Sequence, residues 1–212
     1  MTDTVYSYFE KLNTYPGQDS LIPIWERTWK ARGWKTVLLG LEDAKKNPLH
    51  DQYMTSVNQI PSINPRNYEN SCYRRHLAMA MLKDGGLMTD YDVINMSFTP
   101  DQMPPFQDHL ETLDKDGIIC AAFGNNKAWG AWVNELGNHV DQTGNAYVSD
   151  MTIFLLGKPV SHGQCIGVFN EGWEKAPLVH FNNYHCMRDR PGMDRVALME
   201  SFINTGKILP PL

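Results

Sequence analysis

Two β-forming runs separated by one amphipathic helix constrain this chain more than anything else in it. Thr4-Val5-Tyr6-Ser7-Tyr8-Phe9 is rich in β-branched and aromatic residues and predicts a strand. Pro16-Gly17 then marks a loop, and Asp19-Ser20 stands where a helix cap belongs. Leu21, Ile24, Trp25, Thr28 and Trp29 follow helical spacing to about Arg32, and Gly33 ends the run. Trp34-Lys35-Thr36-Val37-Leu38-Leu39 predicts a second strand. Strand, helix, strand with short connections is the βαβ unit, because parallel neighbours need a crossover between them. The expected class is α/β, with a Rossmann-like, mostly parallel sheet flanked by helices. Trp25 and Trp29 lie one turn apart, which suits core packing; a sugar-stacking platform is the competing use.

Further along, Glu42–Lys46 predicts a short helix closed by Asn47-Pro48, and Pro61 and Pro65 bracket a loop. Tyr68–Lys83 predicts the strongest helix, with Tyr73, His76, Leu77, Ala80 and Met81 on one face. Gly85-Gly86 stops it, and Leu87–Ile94 predicts the next strand. Gly117–Phe123 predicts a buried strand, and Gly124-Asn125-Asn126 a turn. Helix is expected at Asp150–Leu156 and Val196–Asn204, and strand at Ile166–Asn170. Leu178-Val179-His180-Phe181 is a short apolar segment ending in polar residues. No repeat and no long linker divides the 212 residues, so one domain is expected.

Composition narrows the partners. The chain is 42% hydrophobic and 20% charged with a net charge of −5 and no basic block, so nucleic acid is not an expected partner. The four cysteines form no C-x-x-C pair, which points to a reducing compartment rather than a disulfide framework. Met1-Thr2-Asp3-Thr4 carries no basic region followed by an apolar core, and no apolar stretch approaches the roughly 18 residues of a span. The expectation is a cytoplasmic protein with no membrane span.

Asp90-Tyr91-Asp92 carries the chemistry. In a strand, side chains two apart point the same way, so the two carboxylates would converge. An oxygen-rich pair of this kind suits Mg²⁺ or Mn²⁺ carrying a diphosphate. A turn with two solvated acids is the alternative.

Arg74-Arg75 on an apolar helix, then Gly85-Gly86, then Asp90-Tyr91-Asp92-Val93, resembles the DXD-containing nucleotide-sugar glycosyltransferases. The nearest types are the yeast initiation mannosyltransferases and the glucosyl-transferring domains of large clostridial toxins. The resemblance implies the GT-A fold and one glycosyltransferase domain over 1–212. A nucleotide-binding part would cover about 1–95 and an acceptor part about 96–212. It implies a nucleoside-diphosphate sugar as donor, a glycan or small hydroxyl acceptor, and transfer of a hexosyl unit with retention.

The resemblance also implies roles. Asp90 and Asp92 would hold the cation, with Asp90 and Tyr91 also on the donor's nucleotide. Val179-His180-Phe181 resembles the segment that gives related retaining enzymes a histidine ligand, which makes His180 a metal candidate; His185 competes with it. Arg74 and Arg75 would meet the donor, Arg75 in a catalytic role, although the family's helix arginine falls where Leu77 stands. Asp150 takes the position of an acidic residue facing the reacting sugar, and Ser149-Asp150 is equally a helix cap. Arg188 and Arg190 are further cations for the leaving phosphate. Tyr6, Tyr8 or Phe9 would stack on the base, Tyr8 foremost. Asn125, Asn126, Trp129 and Trp132 are candidates for an acceptor wall.

Three other readings compete with this one. One is a nucleotide-sugar hydrolase or a nucleotidyltransferase, the latter disfavoured because Tyr6–Leu12 contains no glycine. Another is a non-catalytic carbohydrate-binding module. The last is a zinc site from His162, Cys165, His185 and Cys186.

Overall fold

β1 (Thr4–Tyr8) and β2 (Lys35–Leu39) pair in parallel, with Thr4 opposite Lys35 and Tyr8 opposite Leu39. The crossover between them is α1 (Ile22–Lys30), so the expected βαβ unit forms. This computed structural model describes residues 3–12, 17–62, 64–143, 149–189, 192 and 194–206. Asp19 and Ser20 do not cap α1. They lie in a 3-10 turn, Gln18–Leu21, and α1 opens instead on Ile22 and Pro23, a residue whose missing N–H costs nothing in a first turn.

Three helices then lead back to the sheet: α2 (Leu41–Ala44), α3 (His50–Gln59) and α4 (Arg66–Ala80). α3 is absent from the sequence expectations, although its buried Tyr53, Met54 and Val57 stand at the helical spacing i, i+1 and i+4. β3 (Gly86–Thr89) pairs in parallel with β1 on the side away from β2. The direction of strand addition therefore reverses at β1. In open α/β sheets, ligands collect outside the carboxyl ends of strands at such a switch point.

The predicted strand Leu87–Ile94 is broken in two. The chain turns at Asp90-Tyr91-Asp92, where the Val93 N–H donates to the Asp90 carbonyl at 3.0 Å. It resumes as β4 (Val93–Asn95) at the opposite edge of the sheet. Asp and its neighbours favour turns, and the apolar residues on either side belong to two strands with different partners.

The remaining elements are β5 (Glu111–Asp114), β6 (Ala121–Gly124), α5 (Asn126–Thr143), α6 (Asp150–Leu156), β7 (Ser161–Gly167), β8 (Leu178–His180), α7 (Asn183–Asp189) and α8 (Arg195–Thr205). The predicted strand at Gly117–Phe123 begins only at Ala121, since Gly117 takes φ 79° in the β5–β6 connection. The eight strands run in the order β2-β1-β3-β6-β5-β7-β8-β4. Four neighbouring pairs are parallel and three antiparallel, so the sheet is mostly parallel by one pair. The four strands of the second half stand between β3 and β4 of the first half, which makes the fold one domain.

Side-chain alternation distributes the core on two faces. Met88 points to a cluster built with Tyr53, Tyr73, Leu77, Trp129 and Phe154 of the α3–α6 layer. Leu87 points the other way, to Trp25, Trp29, Trp34 and Phe98. A third cluster joins Ile94, Val179 and Phe181 to Leu198, Met199 and Phe202 of α8. Among the described residues, no helix is long and apolar enough to cross a membrane.

Candidate active site

A double glycine and a pair of indoles set the position of the acidic turn. Gly85 has φ 72°, and a Cβ there would lie 2.3 Å from the Gly124 carbonyl oxygen. A Cβ on Gly86 would lie 2.7 Å from the Tyr6 ring. Both residues let the chain pass from α4 into β3 without side-chain bulk. On the other face, the Trp25 indole donates to Thr89 Oγ1 at 2.9 Å and the Trp29 indole donates to the Val93 carbonyl at 2.9 Å. These bonds hold the chain on either side of the Asp90–Asp92 turn. The tryptophan pair is thus core packing with two directed bonds, and not a sugar platform.

The turn opens into a cleft of about 740 Å³ at the carboxyl ends of β1 and β3. That size lies within the range of small-molecule sites. Tyr8, Arg75, Asp90, Tyr91, Asp92, Asp150 and His180 all line it. One ligand atom from each of Asp90, Asp92 and His180 falls within 4.8 Å of the others. His180 reaches this point because β4 and β8 pair with Val93 opposite His180. The carboxylates converge through the turn and this pairing, not through strand alternation.

The charges form a chain of alternating sign. Arg75 donates to Asp90 Oδ1 at 2.5 Å and to Asp150 Oδ2 at 2.6 Å. His76 Nε2 lies 2.9 Å from the same Asp150 oxygen. His180 Nε2 lies 3.8 Å from Asp90 Oδ2 and 3.3 Å from Asp92 Oδ1. Arg195, the first residue of α8, donates to Asp92 Oδ2 at 2.7 Å.

Burial and these partners separate the acids. Burial lifts Asp90 to about 6, because Arg75 opposes the loss of water only partly and Asp92 adds to it. Asp92 is the more deeply buried of the two, but the His180 and Arg195 charges win and hold it below the ordinary carboxylate range. Burial would also raise Asp150; Arg75 and His76 outweigh it and keep the carboxylate ionised. Burial works against the His180 imidazolium, yet Cys120 and Asp92 raise it well above an ordinary histidine.

The donor set fits a divalent cation. Asp92 Oδ1 is buried and faces His180 Nε2 at 3.3 Å. A buried carboxylate oxygen with one long contact has room for a further partner, and an ion supplies it. Two carboxylates and an imidazole suit Mn²⁺ or Mg²⁺.

Tyr91 and Asp150 line the cleft with Tyr8 and Arg75; most of the other sequence candidates fall elsewhere. Arg74 points beside the cleft and pairs with Glu10 at 3.0 Å, and Glu10 also accepts from the Tyr8 hydroxyl. Tyr91 donates to Gln18 at 2.8 Å and stacks edge-on against Phe9. Tyr6 packs against Gly86 and the core, away from the cleft. Trp129 and Trp132 are buried around His76, and Trp129 donates to the Gly86 carbonyl at 3.2 Å. Asn126 donates to the Ala80 and Leu82 carbonyls at the end of α4. Asn125 bonds Asp108. None of these four lines the cleft, so they make no acceptor wall. Ser149 caps α6 by accepting from Thr152, while Asp150 faces Arg75 and His76. The His185 and Arg188 side chains, and Arg190, lie outside the described residues.

Sequence reasoning passed over Arg195 and His76. Arg195 follows the Asp194 cap of α8 and looks like an ordinary helix-start cation. His76 carried a signal: it is a histidine among the apolar positions of α4, on the buried face that also holds Glu69. No protein-family model matches the chain, and no curated protein matches it either.

Proposed function

We propose that this chain is a metal-dependent glycosyltransferase of the GT-A kind, moving a hexosyl unit with retention from a nucleoside-diphosphate sugar to a glycan or other hydroxyl acceptor. The observation that carries the reading is the convergence of Asp90, Asp92 and His180 at the switch point of an α/β sheet. Asp90, Asp92 and His180 would hold the cation, which when bound supplies Lewis-acid stabilisation of charge on a departing diphosphate. With His180 protonated, the three acids balance Arg75, Arg195 and the imidazolium. Replacing that proton with a divalent ion leaves the site positive by one charge, which attracts a diphosphate.

The protein groups do the rest. Arg75 and Arg195 border the same cleft and offer guanidinium donors to phosphate oxygens. Tyr8 and Tyr91 present aromatic surface near the turn, where a base or ribose would lie. Retention is favoured by the way Asp150 is engaged. Its Oδ2 accepts from Arg75 and His76, and its Oδ1 accepts from the Met151 N–H at 2.8 Å. A carboxylate held ionised and bonded at both oxygens is a poor base for an acceptor hydroxyl. Asp150 instead fixes the Arg75 guanidinium.

Turnover separates this reading from its rivals. UDP- and GDP-sugars are incubated with Mn²⁺ and a panel of glycans, and release of the nucleoside diphosphate is measured. Transfer requires release that depends on both Mn²⁺ and an acceptor. Acceptor-independent release identifies a hydrolase, and no release with any donor counts against the proposal.

A further inference from the structure

Asp114, Cys120 and Cys165 form a second cluster, with one ligand atom of each within 4.8 Å of the others. All three side chains are buried. Asp114 and Cys165 are register partners on the parallel strands β5 and β7, so they share a face. Cys120 ends the β5–β6 connection and is fixed there by the Asp90 N–H, which donates to its carbonyl at 2.8 Å. The Asp114 carboxylate is aimed. Oδ1 accepts from the Asp116 and Ile118 N–H groups at 2.9 and 3.1 Å, which turns Oδ2 towards Cys120 Sγ at 3.5 Å. The cation beside it is the His180 side chain, which faces Cys120 as well.

We propose that Asp114, Cys120 and Cys165 bind a thiophilic divalent ion such as Zn²⁺, at a site that adjoins the Asp90–Asp92–His180 cluster and shares no ligand with it. The spacing fits the metal. A tetrahedron with metal–sulfur bonds of about 2.3 Å and metal–oxygen bonds of about 2.0 Å has a sulfur–oxygen edge of about 3.5 Å. The chemistry fits as well. Two thiols and a carboxylate are a softer set than two carboxylates and an imidazole, so the two sites select different ions. Cys120 also lines the cleft, which gives an ion and a fourth, water ligand a way in. Binding forms two metal–sulfur bonds and one metal–oxygen bond and releases both thiol protons to solvent; no electron moves. The zinc set suggested by sequence does not assemble: His162 pairs with Glu111 at 2.6 Å, and Cys186 lies in the α8 core cluster. Among the described side chains of that set, Cys165 alone belongs to the site.

Co²⁺ titration of the whole chain tests this, because only thiolate ligation gives the near-ultraviolet sulfur-to-cobalt charge-transfer band. The expected result is a saturable band, displaced by Zn²⁺, untouched by excess Mn²⁺, kept in Asp92→Asn and lost in Cys165→Ser. A wild-type protein that shows no such band at saturating Co²⁺ overturns the proposal, as does a band that Mn²⁺ displaces or that survives in Cys165→Ser. If Cys165→Ser does not fold, the wild-type band and its resistance to Mn²⁺ decide the matter. The glycosyltransferase reading stands or falls separately, on Mn²⁺ and donor binding.

Discussion

Burial holds His76 neutral, and its Nε2 lies against the ionised Asp150 carboxylate and 3.5 Å from Arg75 Nε. Its Nδ1 is buried with no hydrogen-bond partner, between the Trp129 and Trp132 rings. Burial pushes its imidazolium down to about 4, with Arg75 adding to the effect and Asp150 opposing it. The unfolded chain therefore binds a proton between pH 6.5 and about 4 that the folded chain refuses. Stability from this residue is complete above pH 6.5 and is lost as pH falls, by about 3 kcal/mol in all. Asp90, raised to about 6, has the opposite slope, so the histidine's share is read from a difference. Urea unfolding from pH 7 to 4 is expected to show wild-type stability falling more steeply than that of His76→Gln. Equal slopes contradict the assignment.

Asp90 and His180 make a second prediction at the same scale. Each holds a proton more tightly than usual, and an ion must displace both. Mn²⁺ affinity is expected to weaken as pH drops through about 6, with protons released on binding. Calorimetry in buffers of different ionisation enthalpy measures that release. Arg75 adds a third: Arg75→Gln leaves the partly buried Asp90 and the buried Asp150 without their shared cation. Chemical denaturation should register a loss of about 3 kcal/mol or more.

At the scale of elements, the turn between β3 and β4 is held by its neighbours. Trp29→Phe keeps the ring but leaves the Val93 carbonyl without its donor. The expected cost is about 1–2 kcal/mol in unfolding experiments, with weaker Mn²⁺ binding as the turn loosens. Gly85 and Gly33 both have positive φ, but only Gly85 is pressed against backbone. Gly33→Ala should cost about 1 kcal/mol, and Gly85→Ala clearly more. These elements were unevenly legible. The helix spacing of Tyr73, His76 and Leu77 and the stop at Gly85-Gly86 predict α4 and the start of β3. Apolar residues on both sides of Asp90-Tyr91-Asp92 make two strands look like one. The break depends on β4 pairing with β8, a contact no local window contains.

For the whole molecule, the βαβ start, the α/β class and the meeting of Asp90, Asp92 and His180 could be drawn from sequence. Arg195 and the Asp114–Cys120–Cys165 cluster could not, because their partners are brought together only by the order of strands in the sheet. The cleft's account rests on a cation that carries a nucleoside diphosphate. Binding of UDP and GDP to the wild type and to Asp92→Asn, with and without Mn²⁺, tests it most directly by calorimetry. The account predicts Mn²⁺-dependent binding of one nucleotide by the wild type and its loss in a folded Asp92→Asn. Nucleotide binding indifferent to both the ion and the substitution, or no binding at all, would contradict it.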